Sequence, residues 1–196
     1  MEAYYDRRAA EYDDWYLGAG LFAERERPGW EDELRAVRDV VSSLPPARTL
    51  DVACGTGFIT RDLPGHVVAT DASPGMLSES RRRHDHPLVR ADAFALPFRS
   101  DSFDRVFTGH FYGHLGPERR TRFLVESRRI APGLVVLDAA LRDGVEPEQL
   151  QERILNDGFS HRVFKRYFTA SQLADELGDG HALFAGRWFV LVESRR

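Results

Sequence analysis

Three carboxylates and two glycines stand at intervals suited to gripping a nucleoside. Leu50-Asp51-Val52-Ala53-Cys54-Gly55-Thr56-Gly57 is an apolar run entering a glycine turn, with a helix predicted behind it. Backbone that turns sharply and approaches a ligand closely has no room for a Cβ atom, which explains glycine at 55 and 57. Twenty residues past Asp51, the run Val67 to Asp71 ends in a carboxylate whose two oxygens can accept hydrogen bonds from paired ribose hydroxyls. Arg90-Ala91-Asp92-Ala93 follows a third apolar run and offers an acceptor for an adenine amino group.

Positioning these groups takes strands that end side by side. Apolar runs at Thr49 to Ala53, Val67 to Thr70, Leu88 to Val89, Phe103 to Thr108 and Leu134 to Leu137 alternate with helical segments, the signature of parallel strands joined by crossover helices. Trp30, Leu34, Val37, Val40, Val41 and Leu44 recur at helical spacing before the first strand, and Pro45-Pro46 ends that helix. Past residue 140 the reading is a helix over Pro147 to Asn156, a basic loop from Phe159 to Phe168, and a helix opened by the capping sequence Thr169-Ala170-Ser171-Gln172. His181 to Ala185 and Trp188 to Val192, separated by Gly186-Arg187, read as a hairpin that closes the sheet with an antiparallel pair.

A glycine turn with an acidic residue about twenty positions on fits a dinucleotide oxidoreductase as well as a methyltransferase. Thr60 replaces the third glycine of the dinucleotide fingerprint, Asp51 before the turn would repel a pyrophosphate, and Asp92 adds negative charge. These details favour a ligand without phosphate. The segments Leu-Asp-Val-Ala-Cys-Gly-Thr-Gly, Thr-Asp-Ala-Ser-Pro-Gly-Met-Leu, Ala-Asp-Ala-Phe-Ala-Leu-Pro-Phe and Ser-Phe-Asp-Arg-Val-Phe resemble the ordered motifs of class I S-adenosylmethionine-dependent methyltransferases, in the small-molecule branch with the menaquinone and ubiquinone methyltransferases.

The resemblance implies an α/β, Rossmann-like single domain: a mostly parallel seven-stranded sheet with a C-terminal antiparallel hairpin strand and an N-terminal helical cap. It implies S-adenosylmethionine as cofactor and S-adenosylhomocysteine as product. Asp51, Ala53, Gly55, Thr56 and Gly57 would line the methionine half, Asp71, Ala72 and Met76 the ribose and adenine, Asp92 and Ala93 the adenine, and Thr108 the end of strand four, with Tyr4 and Tyr12 folding over the cofactor. Ala53 stands where a glycine is frequent, and Ala131-Pro132-Gly133-Leu134 has one glycine fewer than the usual turn.

The same resemblance puts the acceptor pocket after strand four, where His110, Tyr112 and His114 follow. His110 is the candidate base or orienter, since imidazole titrates near neutrality. Tyr112 is the alternative, and His114 is read as a capping or filling residue. Cys54 has no base beside it in sequence and reads as packed and inert. With no second cysteine, no metal is expected.

The 196 residues, 42% hydrophobic, suffice for one core, expected as one domain over 1–196: a helical cap at 1–45, a cofactor-binding core at 46–140, and an acceptor-side insert with the closing hairpin at 141–196. A net charge of −4 argues against a nucleic-acid partner. No apolar run is long enough to span a bilayer, so a soluble, cytoplasmic protein acting on a small molecule is expected. Two other readings remain at this stage: a regulatory protein that binds S-adenosylmethionine or S-adenosylhomocysteine without turnover, and an NAD-binding oxidoreductase.

Overall fold

The computed structural model describes residues 2–178 and 180–196. Helices α1 (Glu2–Arg8) and α2 (Asp14–Leu17), with short 3-10 turns between and after them, lead into the longer α3 (Trp30–Ser42). The α3 helix buries Trp30, Leu34, Val37 and Val41 on one face and places Glu31, Asp32 and Glu33 in its first turn, where the helix dipole favours anions. Then come β1 (Ala47–Val52), β2 (Gly65–Asp71), α4 (Pro74–Arg81), β3 (Leu88–Arg90), β4 (Arg105–Gly109), α5 (Pro117–Ile130) and β5 (Gly133–Ala139). The chain closes with β6 (Glu148–Ile154), β7 (Ser160–Arg166), α6 (Ala170–Glu176), β8 (His181–Ala185) and β9 (Phe189–Arg195).

Seven strands form one sheet in the order β3-β2-β1-β4-β5-β9-β8. Its pairs are parallel from β3 to β5, and β9 runs against both β5 and β8. Every residue of β5 is buried, as expected for a strand covered on both faces. Alternate residues feed two cores. Leu134, Val136, Val190 and Val192 pack with Phe123 and Ile130 of α5, while Val135, Leu137, Phe189 and Leu191 pack with Trp30, Val37 and Val41 of α3 and with Tyr16 of the cap. The cap is held to the hairpin by Glu33, whose carboxylate accepts the backbone N–H groups of Arg187, Trp188 and Phe189 at 2.6 to 3.0 Å. The predicted capping box at Thr169 and Gln172 is present.

Three local expectations are corrected. No α-helix follows the glycine turn: a single 3-10 turn, Thr60–Asp62, stands there, because Pro64 pushes Leu63 into extended backbone (φ −71°, ψ 126°) and β2 begins at once. The segment read as a helix over Pro147 to Asn156 is the strand β6, and the basic loop contains the strand β7. These two pair antiparallel from Glu148 opposite Arg166 to Ile154 opposite Ser160, as a separate small sheet. Glu, Gln, Leu and Arg are good helix formers, but pairing along β7 overrides that preference. The hairpin's alternation is inverted: Gln149, Gln151 and Arg153 turn inward, while Leu150 and Ile154 are 55% and 59% exposed.

Candidate active site

The β1 and β4 strands are neighbours at the centre of the sheet, where the strand order reverses, and the crevice beyond their C-terminal ends is the usual ligand site of such sheets. A narrow cleft of about 20 Å³ lies there, lined by Asp51, Ala53, Cys54, Gly55 and Thr56 of the turn, by Phe107 and Gly109 of β4, and by Tyr12 and Tyr16 of the cap. Ala53, Gly55 and Gly57 all have positive φ (58°, 57° and 76°). A Cβ on Gly55 would sit beside Tyr12 and the Met76 sulfur, and one on Gly57 would lie 2.7 Å from His84 and Ser80.

Asp71 anchors this turn. Its oxygens accept from the Gly55 and Ser73 amides, both at 2.9 Å. The Ala72 amide also lies against it, and of a carboxylate's roughly four lone-pair directions capacity remains for a ribose hydroxyl. Asp51 is buried, with one oxygen bonded to the Thr60 hydroxyl at 2.6 Å and Oδ1 without a partner among the described residues. Burial pushes its carboxyl up to about 7, the Thr60 hydrogen bond opposes this, and the Asp71 charge adds to it. An unpartnered buried carboxylate oxygen in a cleft is the feature an ammonium or sulfonium ligand would satisfy. The residues therefore fit a cationic nucleoside.

The cap closes over the cleft. Asp13 accepts from the Thr56 hydroxyl at 2.6 Å and pairs with Arg83, while Asp6 accepts from the Ser73 hydroxyl at 2.5 Å and the Gly75 amide at 3.0 Å.

Beyond Tyr12 lies a cavity of about 930 Å³ between the cap, the end of β5 and the β6–β7 hairpin. His110 stands on its wall, buried, in the left-handed region (φ 57°), with Trp15, Tyr16 and Phe189 around its ring. Neither of its ring nitrogens has a hydrogen-bond partner among the described residues, and Nδ1 is 4.0 Å from Asp138 Oδ1. Burial pushes the imidazole down to about 3 against the pull of Asp138, and the Lys165 and Arg153 charges push the same way, so His110 is neutral under ordinary conditions. Asp138, fully buried, accepts from Lys165 Nζ at 2.5 Å and from the Gly113 and Ala139 amides. Burial alone would raise this carboxyl, but the Lys165 charge and hydrogen bond and the amide donors outweigh it and hold it below the ordinary range.

The other predicted residues divide into groups. Asp51, Ala53, Gly55, Thr56 and Tyr12 meet at the cleft, with Asp71 and Met76 against them. Gly57 faces His84 and Ser80, and the Thr108 hydroxyl ties β4 to the Val52 carbonyl at 2.8 Å. Asp92 is exposed and accepts from the Phe94 amide at 3.0 Å; Ala93 packs partly buried against the core, and Ala72 is exposed. Tyr4 lines the large cavity and stacks on His161. The Tyr112 hydroxyl points to Glu176 at 3.3 Å, away from both cavities, and His114 joins the cavity wall with Nδ1 against the Phe164 carbonyl at 2.7 Å. Asp138, Gln151 and Arg153 were not foreseen as site residues. The period-two polar alternation of 149, 151 and 153 was the signal that could have found the last two. Among the described residues no cluster of metal-ligating side chains occurs.

Residues 50–133 match a family model described as a methyltransferase domain, Methyltransf_11. A demethylmenaquinone methyltransferase of Renibacterium salmoninarum is 47% identical over 76 residues, covering 37% of this chain and 32% of that protein. A phthiotriol/phenolphthiotriol dimycocerosates methyltransferase of Mycobacterium leprae is 31% identical over 179 residues, covering 77% of this chain and 63% of that one. The chain thus spans less than two thirds of these curated relatives. A solved DhpI-SAM-HEP complex superposes with a TM-score of 0.72 at 23% identity, over 99% of this chain and 95% of that one. The fold is the α/β, Rossmann-like methyltransferase fold, and residues 50–133 are similar to the methyltransferase domain family.

A donor site that includes Asp51 would depend on pH. Below about 7 its carboxyl carries a proton that must leave before a cation can be received, so S-adenosylhomocysteine affinity should rise with pH from about 5.5 to 7.5, by up to about tenfold per unit below the pKa. Calorimetric titration across that range checks this. Asp51→Asn should flatten the profile, and a flat wild-type profile would remove Asp51 from the site.

Proposed function

We propose that this protein transfers a methyl group from S-adenosylmethionine to a small-molecule acceptor bound in the large cavity, with His110 orienting the acceptor's nucleophile. One observation carries the reading. The donor cleft and the cavity share Tyr12 as a wall and meet at the end of β4, where Gly109 faces the first and His110 the second. The donor supplies a methyl group on a sulfonium, already activated for in-line displacement.

The chain's own contribution is alignment and exclusion of water. Holding two reactants at attack distance supplies roughly 7–11 kcal/mol of the barrier reduction. Trp15, Trp30, Trp188 and Tyr12 give the cavity its apolar wall. Asp138 favours a proton on the facing His110 Nδ1, which leaves Nε2 as an acceptor for a hydroxyl or amine of the substrate.

Asn is tolerated in left-handed backbone, so His110→Asn removes the imidazole without adding strain. Turnover should fall about 10- to 100-fold with S-adenosylhomocysteine affinity unchanged. Equal loss of both would make His110 a structural residue. The reading as a whole is tested by incubating the protein with S-adenosylmethionine and a panel of hydroxy, amino and phenolic acceptors and following release of S-adenosylhomocysteine. Acceptor-dependent release supports it, and tight binding without release across the panel would favour a regulatory binding protein.

A further inference from the structure

The cavity wall is built for charge. The β6–β7 hairpin turns its polar side inward and leaves Leu150 and Ile154 in solvent, an arrangement that costs hydrophobic burial unless the inner face meets something polar. On that inner side the Gln151 amide donates to the Tyr167 hydroxyl at 2.8 Å and Gln151 Oε1 accepts from Arg153 at 3.2 Å, so the Arg153 guanidinium is held in place with donors to spare. Arg153 lines the cavity together with Tyr12, His110, His114 and Lys165.

Across the cavity stands Arg8 of α1, 5% exposed, donating to the Tyr4 hydroxyl at 2.8 Å and lying over the Tyr12 ring. Among the described residues neither Arg8 nor Arg153 has a carboxylate partner. The lining side chains that are both charged and fully buried, Arg8 and Lys165, are cations, and only Lys165 has its counter-ion, Asp138. Of the four acids on the wall among the described residues, Glu26 and Glu152 are exposed, Glu11 is engaged by the Asn156 amide and Asp14 is part-buried; against them stand six cations, Arg8, Arg25, Arg27, Arg142, Arg153 and Lys165. Burying the Arg8 guanidinium without a carboxylate and holding Arg153 part-buried beside the same cavity is costly, and a bound anion offsets that cost with charge-assisted hydrogen bonds.

Resting on the methyltransferase reading, we propose that the acceptor carries an anionic group, a carboxylate or a phosphoryl group, held between Arg153 and Arg8 while its nucleophile faces His110. The basic side of the cavity is then a specificity element that selects acidic acceptors against neutral ones of the same shape.

All three tryptophans of the chain, Trp15, Trp30 and Trp188, line this cavity, so intrinsic fluorescence reports its occupancy. Protein saturated with S-adenosylhomocysteine is titrated with inorganic phosphate, with benzoate and with neutral benzamide, at constant ionic strength held by chloride. A saturable change with phosphate or benzoate is expected, with benzamide at least about tenfold weaker. Phosphate alone identifies a phosphoryl acceptor and benzoate alone a carboxylate. Arg153→Gln should raise the half-saturation about tenfold or more, Arg153→Lys should restore part of the loss, and S-adenosylhomocysteine affinity should stay the same in both. The proposal is overturned if neither anion saturates below about 50 mM, if benzamide matches benzoate, or if Arg153→Gln binds anion like the parent. Failure to bind S-adenosylhomocysteine at all would instead defeat the methyltransferase reading.

Discussion

Asp71→Ala is expected to weaken S-adenosylhomocysteine binding by about 1–3 kcal/mol, roughly 5- to 150-fold in Kd, through lost hydrogen bonds to an ionised group. The effect has two sources. Asp71 has acceptor capacity left beside the cleft, and it pins the turn by accepting the Gly55 and Ser73 amides. Asp71→Asn keeps one acceptor oxygen and should lose less than alanine. Calorimetric titration of both variants, with circular dichroism to confirm the fold, makes the comparison; unchanged affinity in Asp71→Ala would sink the assignment of this carboxylate.

Asp138→Ala is expected to destabilise the protein by about 3–5 kcal/mol, the largest single effect on folding predicted here, because it strands Lys165 as a buried, unpaired charge and leaves the Gly113 and Ala139 amides without their acceptor. Adding Lys165→Met should recover much of the loss, since replacing a buried pair by apolar side chains is often nearly neutral. Urea unfolding of the single and double variants gives the numbers. A cost below about 1 kcal/mol for Asp138→Ala would mean that this pair does not hold the hairpin's inner edge to β5.

The candidate donor cleft was legible as a cluster because its residues are local in sequence. Asp51, Gly55 and Asp71 sit at strand ends that apolar runs announce, and backbone geometry fixes which residue types can stand there. The parallel core and its antiparallel closure by the C-terminal hairpin followed from the same runs. The candidate acceptor cavity was less legible. The β6–β7 hairpin lies outside the main sheet, with polar residues inward, so the usual rule that links apolar alternation to burial worked backwards at Gln151 and Arg153. Tyr112 and His110 are two residues apart, yet the turn sends one side chain toward Glu176 and the other onto the cavity wall, a divergence set by the left-handed backbone at His110. Asp138 sits in a fully buried strand that reads as plain core, and only its pairing with Lys165 across the fold gives it a role.

The most direct test of the account is a calorimetric titration of the purified protein with S-adenosylhomocysteine and, separately, with NAD. Micromolar binding of S-adenosylhomocysteine with no heat from NAD is the predicted result. Binding of NAD alone would contradict the assignment of the cleft to a cationic nucleoside, and with it the proposed methyl transfer.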